Sequence, residues 1–290
     1  MAGPDVPDDQ ADVETFADAL LAAIEDNLDL PDISPSHAMA TAAMTMRRLG
    51  IDFVRRYNRL TVDIEPSALD SPVLFVANHG FGGIFDLNVF ATYAAFDQLD
   101  LDRPVTALTH QLAWTLGVGP LIEPLGARPA SRDSAREAFE DGRHVLVFPG
   151  GDIEAAKTWD ERNQVVFGGR SGFARLAIEH DVPIIPIVTA GASESLLVIS
   201  RGERLARALR LDKLLRIKAL PLTVSLPWGV NVGAVGLLPY LPLPTKLDTR
   251  VLPAIRSEPD EEPDAYGERV HSAMQSAMDE MTANRRPLLG

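Results

Sequence analysis

Asn78, His79 and Asp86 stand in one short stretch, NHGFGGIFD, directly after the apolar run SPVLFVA. An imidazole can exchange a proton near neutral pH, and a nearby carboxylate can fix its tautomer and stabilise the cation it becomes. The residues between the two groups include three glycines, Gly80, Gly82 and Gly83. Glycine lets a chain turn sharply or lets backbone approach a ligand closely. Two readings follow from these residue types alone. One is a turn that merely needs glycines beside a structural histidine. The other is a general base with its orienting acid.

Other chemistries leave no trace. The chain has no cysteine, which excludes disulfides, thiolate nucleophiles and cysteine metal sites. GGRSGF and GASES both miss the G-x-S-x-G elbow of serine hydrolases. There is no P-loop and no G-x-G-x-x-G. The histidines, His37, His79, His110, His144, His180 and His271, form no close metal-ligand pair, so no metal is expected. A net charge of −14 argues against a nucleic-acid partner. Ten acids precede the first basic residue, Arg47, so most of this charge belongs to an N-terminal arm.

The elements that must position His79 and Asp86 can be read from the apolar pattern. DVETFADALLAAIEDNLDL reads as an acidic amphipathic helix, and SPSHAMATAAMTMRRLGIDFVRRYNRL as a second helical region with a basic end. Strands and helices then alternate. SPVLFVANH, RPVTALTH, HVLVFPGG and VPIIPIVTAG read as strands. Between them lie helices over DLNVFATYAAFDQL, over SAREAFEDG with a Ser134–Glu137 capping box, and over SGFARLAIEHD. The alternation predicts an α/β fold with a mixed, largely parallel sheet flanked by helices, preceded by N-terminal helices. Chemistry in such sheets gathers beyond the C-terminal ends of strands, where ANH and FPGG both fall. The expected organisation is an acidic arm and helical region over 1–68, an α/β domain over 69–256 and a C-terminal helix over 257–290.

Two later segments differ in character. RGERLARALRLDKLLRIK, residues 201–218, carries seven Lys/Arg against two acids, which suits a plain surface helix or a contact with an anionic membrane. No charge then appears between Lys218 and Lys246, but five prolines across residues 219–247 argue against a straight transmembrane helix. One strand, LTVSL, followed by an apolar Pro-rich loop is expected here. That loop is read as buried core, as a surface dipping into a membrane or as the wall of an acyl-chain channel.

Four stretches, in order over roughly residues 70–190, resemble the motifs of the glycerolipid acyltransferase superfamily, which includes glycerol-phosphate and lysophospholipid acyltransferases. NHGFGGIFD is similar to the first motif, a strand-end Asn-His followed by Asp. LGARPASRDSAREAFEDG resembles the second, a glycine and basic residues before a helix. VLVFPGGD is similar to the third, usually Phe-Pro-Glu-Gly, and looks like a bacterial branch with FPGG. VPIIPIV resembles the fourth, and LPLPTKLDTRVLPAI the closing strand. The chain departs from the pattern twice. Four residues usually separate His from Asp, which would place Ile84 at the acid position; a bulging glycine turn would return Asp86 to it. Gly150 stands where the family has glutamate, with Asp152 or Glu154 as candidates to compensate.

The resemblance implies a glycerol-phosphate acyltransferase-like fold and an acyl-CoA- or acyl-carrier-protein-dependent O-acyltransferase with no bound cofactor. Its acceptor would be a glycerolipid-type alcohol such as a lysophospholipid. His79 would be the general base and Asp86 its orienting acid. Asn78, Gly80, Gly82, Gly83, Arg128, Arg132, Phe148, Pro149, Gly150, Gly151 and Arg170 would bind substrate, the arginines by meeting phosphate on the acceptor or on CoA. The opening, MAGPDVPDDQADVETF, has neither the basic nor the apolar region of a secretory signal, so a cytoplasmic protein at the inner face of a membrane is expected. A non-catalytic lipid-binding protein of the same fold, and a lipid thioesterase or hydrolase, are the alternatives.

Overall fold

Short runs of β-branched and aromatic residues form the strands, and the order in which they pair decides where His79 lies. A computed structural model describes residues 35–65, 67, 69–80, 86–115, 119–202, 207–208, 221–233 and 240–290. The acidic helix expected before residue 31 and most of the basic stretch 201–218 lie outside these residues. The chain divides into two compact units, residues 1–42 and 43–290. Helix α1 (Pro35–Arg56) runs across that division and leads into β1 (Thr61–Ile64) and β2 (Leu74–Ala77). There follow α2 (Leu87–Leu99), β3 (Val105–Thr109), the short helices α3 (Gln111–Thr115) and α4 (Gly119–Ile122), β4 (Ala127–Pro129), α5 (Arg132–Glu140) and β5 (His144–Val147). Next come α6 (Gly151–Ala155), α7 (Gly172–Glu179), β6 (Ile184–Ala190), β7 (Leu197–Ser200), β8 (Leu222–Ser225), β9 (Gly229–Val232), β10 (Asp248–Val251) and α8 (Pro263–Thr282).

Seven strands form one sheet in the order β1-β10-β6-β2-β5-β3-β4. The five from β6 to β4 run parallel, joined by helical crossovers. β10 runs antiparallel to β6, and β1 lies parallel to β10. The sheet is therefore mixed and largely parallel, as the alternation of elements predicts. β2 is buried along its whole length because both its faces are covered. Period-two alternation sends Leu74 and Val76 to one face, against Ala138 and Phe139 of α5, Phe173 of α7 and Tyr266 and Met274 of α8. Phe75 and Ala77 face the other way, onto Tyr93 and Phe96 of α2 and Ile51 of α1.

Two local readings are corrected. Helix α5 begins with Ser131 as its N-cap, its side chain accepting from the Ser134 N–H at 3.0 Å, so the helix starts a turn before the expected Ser134–Glu137 box. A serine in extended backbone just before Arg132 caps as well as any later one, and the apolar face that must reach the sheet sets the start. The segment after LTVSL is also not simply a loop. β9 pairs antiparallel with β8, and β8 with β7, giving a second three-stranded sheet. Gly229, at φ +69°, supplies the turn that lets β9 fold back.

Candidate active site

The site is built where β2 ends. Asn78 is buried and bonds across to β6: its amide donates to the Thr189 carbonyl at 3.1 Å and its oxygen accepts the Thr189 N–H at 2.7 Å. Asn88, at the start of α2, donates to the Asn78 carbonyl at 2.8 Å. These bonds tie the ends of two strands to the start of a helix and hold the next residue, His79, at a defined point. A Cβ at Gly80 would sit 2.4 Å from the Asn88 amide oxygen, so this close approach requires glycine.

Asp86 serves two partners with its two oxygens. Oδ1 caps α2, accepting from the N–H groups of Asn88 at 3.0 Å and Val89 at 3.4 Å. Oδ2 lies 3.1 Å from His79 Nδ1. The chain thus brings the acid to the imidazole although six residues intervene; residues 81–85, including Gly82, Gly83 and Ile84, lie outside the described ones. His79 Nδ1 also lies 3.0 Å from the Gly80 carbonyl, which can only accept, so Nδ1 carries the proton. Nε2 is then the basic nitrogen. Burial pushes the Asp86 carboxyl above its ordinary range, opposed by the charge of His79 and by the Val89 and Asn88 N–H groups.

Behind the histidine lies a second carboxylate. Glu154 on α6 is fully buried; one oxygen accepts the His79 N–H at 2.8 Å and the other the Val166 N–H at 3.0 Å. Lys157, also buried, lies 3.5 Å from it and donates to the Gln164 carbonyl at 2.7 Å. Burial lowers the Lys157 pKa, and the Glu154 charge works against that fall. A Cβ at Gly150 would meet a Glu154 oxygen at 2.4 Å, so this carboxylate occupies the space that a side chain at 150 would need. Of the two acids that might compensate for Gly150, Glu154 therefore touches both that glycine and the histidine backbone. Asp152 instead pairs with Arg170 at 2.8 Å.

The third-motif residues surround this pair. The Phe148 ring lies 5.1 Å from that of His79. Arg170 donates to the carbonyls of Pro149 at 3.0 Å and Gly150 at 2.8 Å, clamping the turn in which Gly151 has φ +48°. Two arginines stand elsewhere. Arg128 is on edge strand β4, three strands from β2, a separation on the order of 14 Å. It pairs with Glu123 at 3.2 Å and lines a cavity of about 700 Å³ with Arg47, Arg103 and Arg143, which His79 and Asp86 do not line. Arg132 is exposed, 4.0 Å from Glu179.

Sequence reasoning overlooked two neighbours of the site. Asn88 had a usable signal, a polar side chain at the buried start of an apolar helix. Tyr240 had none, because it lies in the Pro-rich stretch far along the chain. It is buried in a cluster with Leu196 and Val198, and burial together with the Asp86 charge pushes its hydroxyl pKa up. Among the described residues, no group of three or more acids and histidines could hold a metal ion.

Several known proteins are similar to this chain. An uncharacterised protein of Mycobacterium tuberculosis is 28% identical over 196 residues, 67% of this chain and 51% of that one. This chain thus spans about half the length of that relative. The DGAT1/2-independent enzyme synthesizing storage lipids of Gallus gallus is 31% identical over 126 residues, 43% of this chain and 37% of its own. The crystal structure of the 1-acyl-sn-glycerophosphate (LPA) acyltransferase PlsC from Thermotoga maritima aligns with a TM-score of 0.49 and 16% identity, over 93% of this chain and 90% of that one. The acyltransferase family model matches residues 46–190, which hold the His79–Asp86 pair and the Glu154 carboxylate behind it, and on that match the chain belongs to the acyltransferase family.

Proposed function

We propose that the protein transfers a fatty acyl group from acyl-CoA, or from acyl carrier protein, to a hydroxyl of a glycerolipid-type acceptor. The observation that carries this reading is the 3.1 Å contact of His79 Nδ1 with Asp86, at the C-terminal end of β2 within the family-matched segment. His79 Nε2 takes the proton of the acceptor alcohol as its oxygen attacks the thioester carbonyl. A C–O bond forms and the carbonyl oxygen becomes an oxyanion. Collapse of that intermediate breaks the C–S bond, and the imidazolium returns the proton to the departing sulfur, leaving an ester and a free thiol. Asp86 stabilises the imidazolium between these steps. Assistance of this kind contributes roughly 10²–10⁴-fold.

The oxyanion needs backbone donors beside the ring. The Gly151 N–H already donates to the Phe148 carbonyl, so Gly80 and Gly150 rank ahead of it. Lysophospholipids, glycerol phosphate and neutral glycerides are all acceptors of the right class; the storage-lipid enzyme among the relatives keeps the last in view. For a phosphorylated acceptor or for CoA, Arg128 on edge strand β4 and Arg132 at the start of α5 are the cations offered, away from His79. The reading includes peripheral association with the inner face of a membrane, as the resemblance implies; among the described residues no helix is long and apolar enough to cross one.

The test is transfer of labelled palmitate from palmitoyl-CoA into a panel of lysolipids, glycerol phosphate and glycerides, with His79→Ala beside wild type. A labelled ester that falls by at least about 10² in the variant is expected, and its identity names the acceptor. Free palmitate without an ester would make the protein a thioesterase. Lipid binding without turnover, unchanged in His79→Ala, would make it a binding protein.

A further inference from the structure

We infer that the three-stranded sheet β7-β8-β9 is a membrane-docking face, and that its partner is the surface of an anionic bilayer. This deepens the proposed function by naming the surface that brings the site to its lipid. The second sheet is apolar on its outer side. Register places Leu197, Val224 and Val230 in one cross-strand row, and Leu222 and Val232 in the next. Residues directly opposite on paired strands share a face. Leu197, Ile199, Val230 and Val232 are all exposed, Val230 most of all at 69%. Trp228 and Leu226, at the turn between β8 and β9, are exposed as well. A contiguous apolar face tipped by tryptophan marks an interaction surface, and indole rings sit well at the level of lipid headgroups.

The other side of this sheet is its buried side. Val198 packs with Leu196 and Tyr240 there. The strand that leads into this sheet is β6, which holds Asn78 through Thr189. Docking the outer face would bring the chain that carries the site to the bilayer that holds its acceptor.

Charge selects the partner. The protein has a net charge of −14, yet the segment joining β7 to β8 carries seven Lys/Arg against two acids. Both its ends are tethered to the apolar sheet by the chain itself, and Arg207 within it is exposed. An anionic surface attracts such a segment. A second copy does not, because a two-fold dimer through this face would bring two such segments together.

The experiment is flotation of the full chain with vesicles of phosphatidylcholine alone and with about one third phosphatidylglycerol. Wild type is compared with Val230→Glu/Val232→Glu and with Arg207→Glu, and thermal unfolding checks that each variant is folded. The expected result is binding to the anionic vesicles, at least about tenfold weaker in the double variant and weaker also in Arg207→Glu. The double variant should keep wild-type acyl transfer to acceptors presented in detergent micelles. Binding that the double variant leaves unchanged overturns the inference, as does absence of binding by wild type. A wild-type dimer that the double variant dissociates, without vesicle binding, also overturns it and makes the face an interface between copies. Acyl transfer is scored separately: vesicle binding lost in the double variant supports the docking face even where no turnover is found, and turnover with unchanged binding refutes only the docking face.

Discussion

At the scale of single residues, one carboxylate carries two duties that can be separated. Asp86 caps α2 and faces His79. Burial raises its pKa above the ordinary 3.8, so the folded chain holds this proton more tightly than the unfolded chain. That contribution to stability is fully present below 3.8 and is lost as pH rises through the folded value, so at neutral pH the ionised carboxylate is a cost. Asparagine caps as well as aspartate does. Asp86→Asn is therefore expected to unfold no earlier than wild type at neutral pH while losing roughly 10²–10⁴-fold in turnover. Parallel melting curves and acyl-transfer rates check both halves. Glu154 gives the complementary case. Glu154→Met leaves Lys157 as an uncompensated buried charge, worth about 3–5 kcal/mol of stability. Glu154→Met/Lys157→Met should recover most of that in denaturant titrations. Turnover should stay low in both, because the His79 N–H has lost its acceptor.

At the scale of elements, the caps decide where side chains point. α5 starts at Ser131, whose hydroxyl accepts from the Ser134 N–H. Ser131→Ala should cost about 1 kcal/mol, and Ser134→Ala only a few tenths, since just one of them fills an orphan helix donor. Urea unfolding of the two variants separates the two placements of the helix start. The same reasoning explains why Asp86 reaches His79. The acid sits at the N-cap of α2, and α2 is pinned by its buried face and by Asn88. The distance is therefore set by where the helix begins rather than by the number of residues in the glycine turn.

At the scale of the whole molecule, the sheet buries a titratable group that takes no part in the chemistry. His144 opens β5, is fully buried, and accepts the Val73 N–H on Nδ1 at 3.2 Å. Burial, helped by the Arg103 charge and opposed by Asp102, lowers its pKa from the ordinary 6.5. Its contribution to stability is present above 6.5 and is lost as pH falls through the folded value. The melting temperature should drop on acidification below that point. His144→Leu should flatten this limb, at a cost of about 1–3 kcal/mol from the orphaned Val73 N–H at all pH values. Melting curves across a pH series of both proteins test this.

Much of the fold, and the closeness of His79 to Asp86, is legible in the sequence. Continuous apolar runs such as LFVA and IIPIV announce strands buried on two faces, and the alternation with helices announces a largely parallel sheet. These signals are local, written within a few neighbouring residues by side-chain shape and backbone preference. His79 and Asp86 were legible for the same reason, since a strand end, a glycine turn and a helix cap are each short-range features. The tertiary structure alone decided the rest. Thr189 holds Asn78 from 111 residues away, and Tyr240 packs with Leu196 and Val198 from a stretch far along the chain. β10 enters the sheet antiparallel, and Glu154 takes the space beside Gly150, only because the packed core brings those segments together. Such contacts depend on burial shared by the whole molecule, which no window of neighbouring residues encodes.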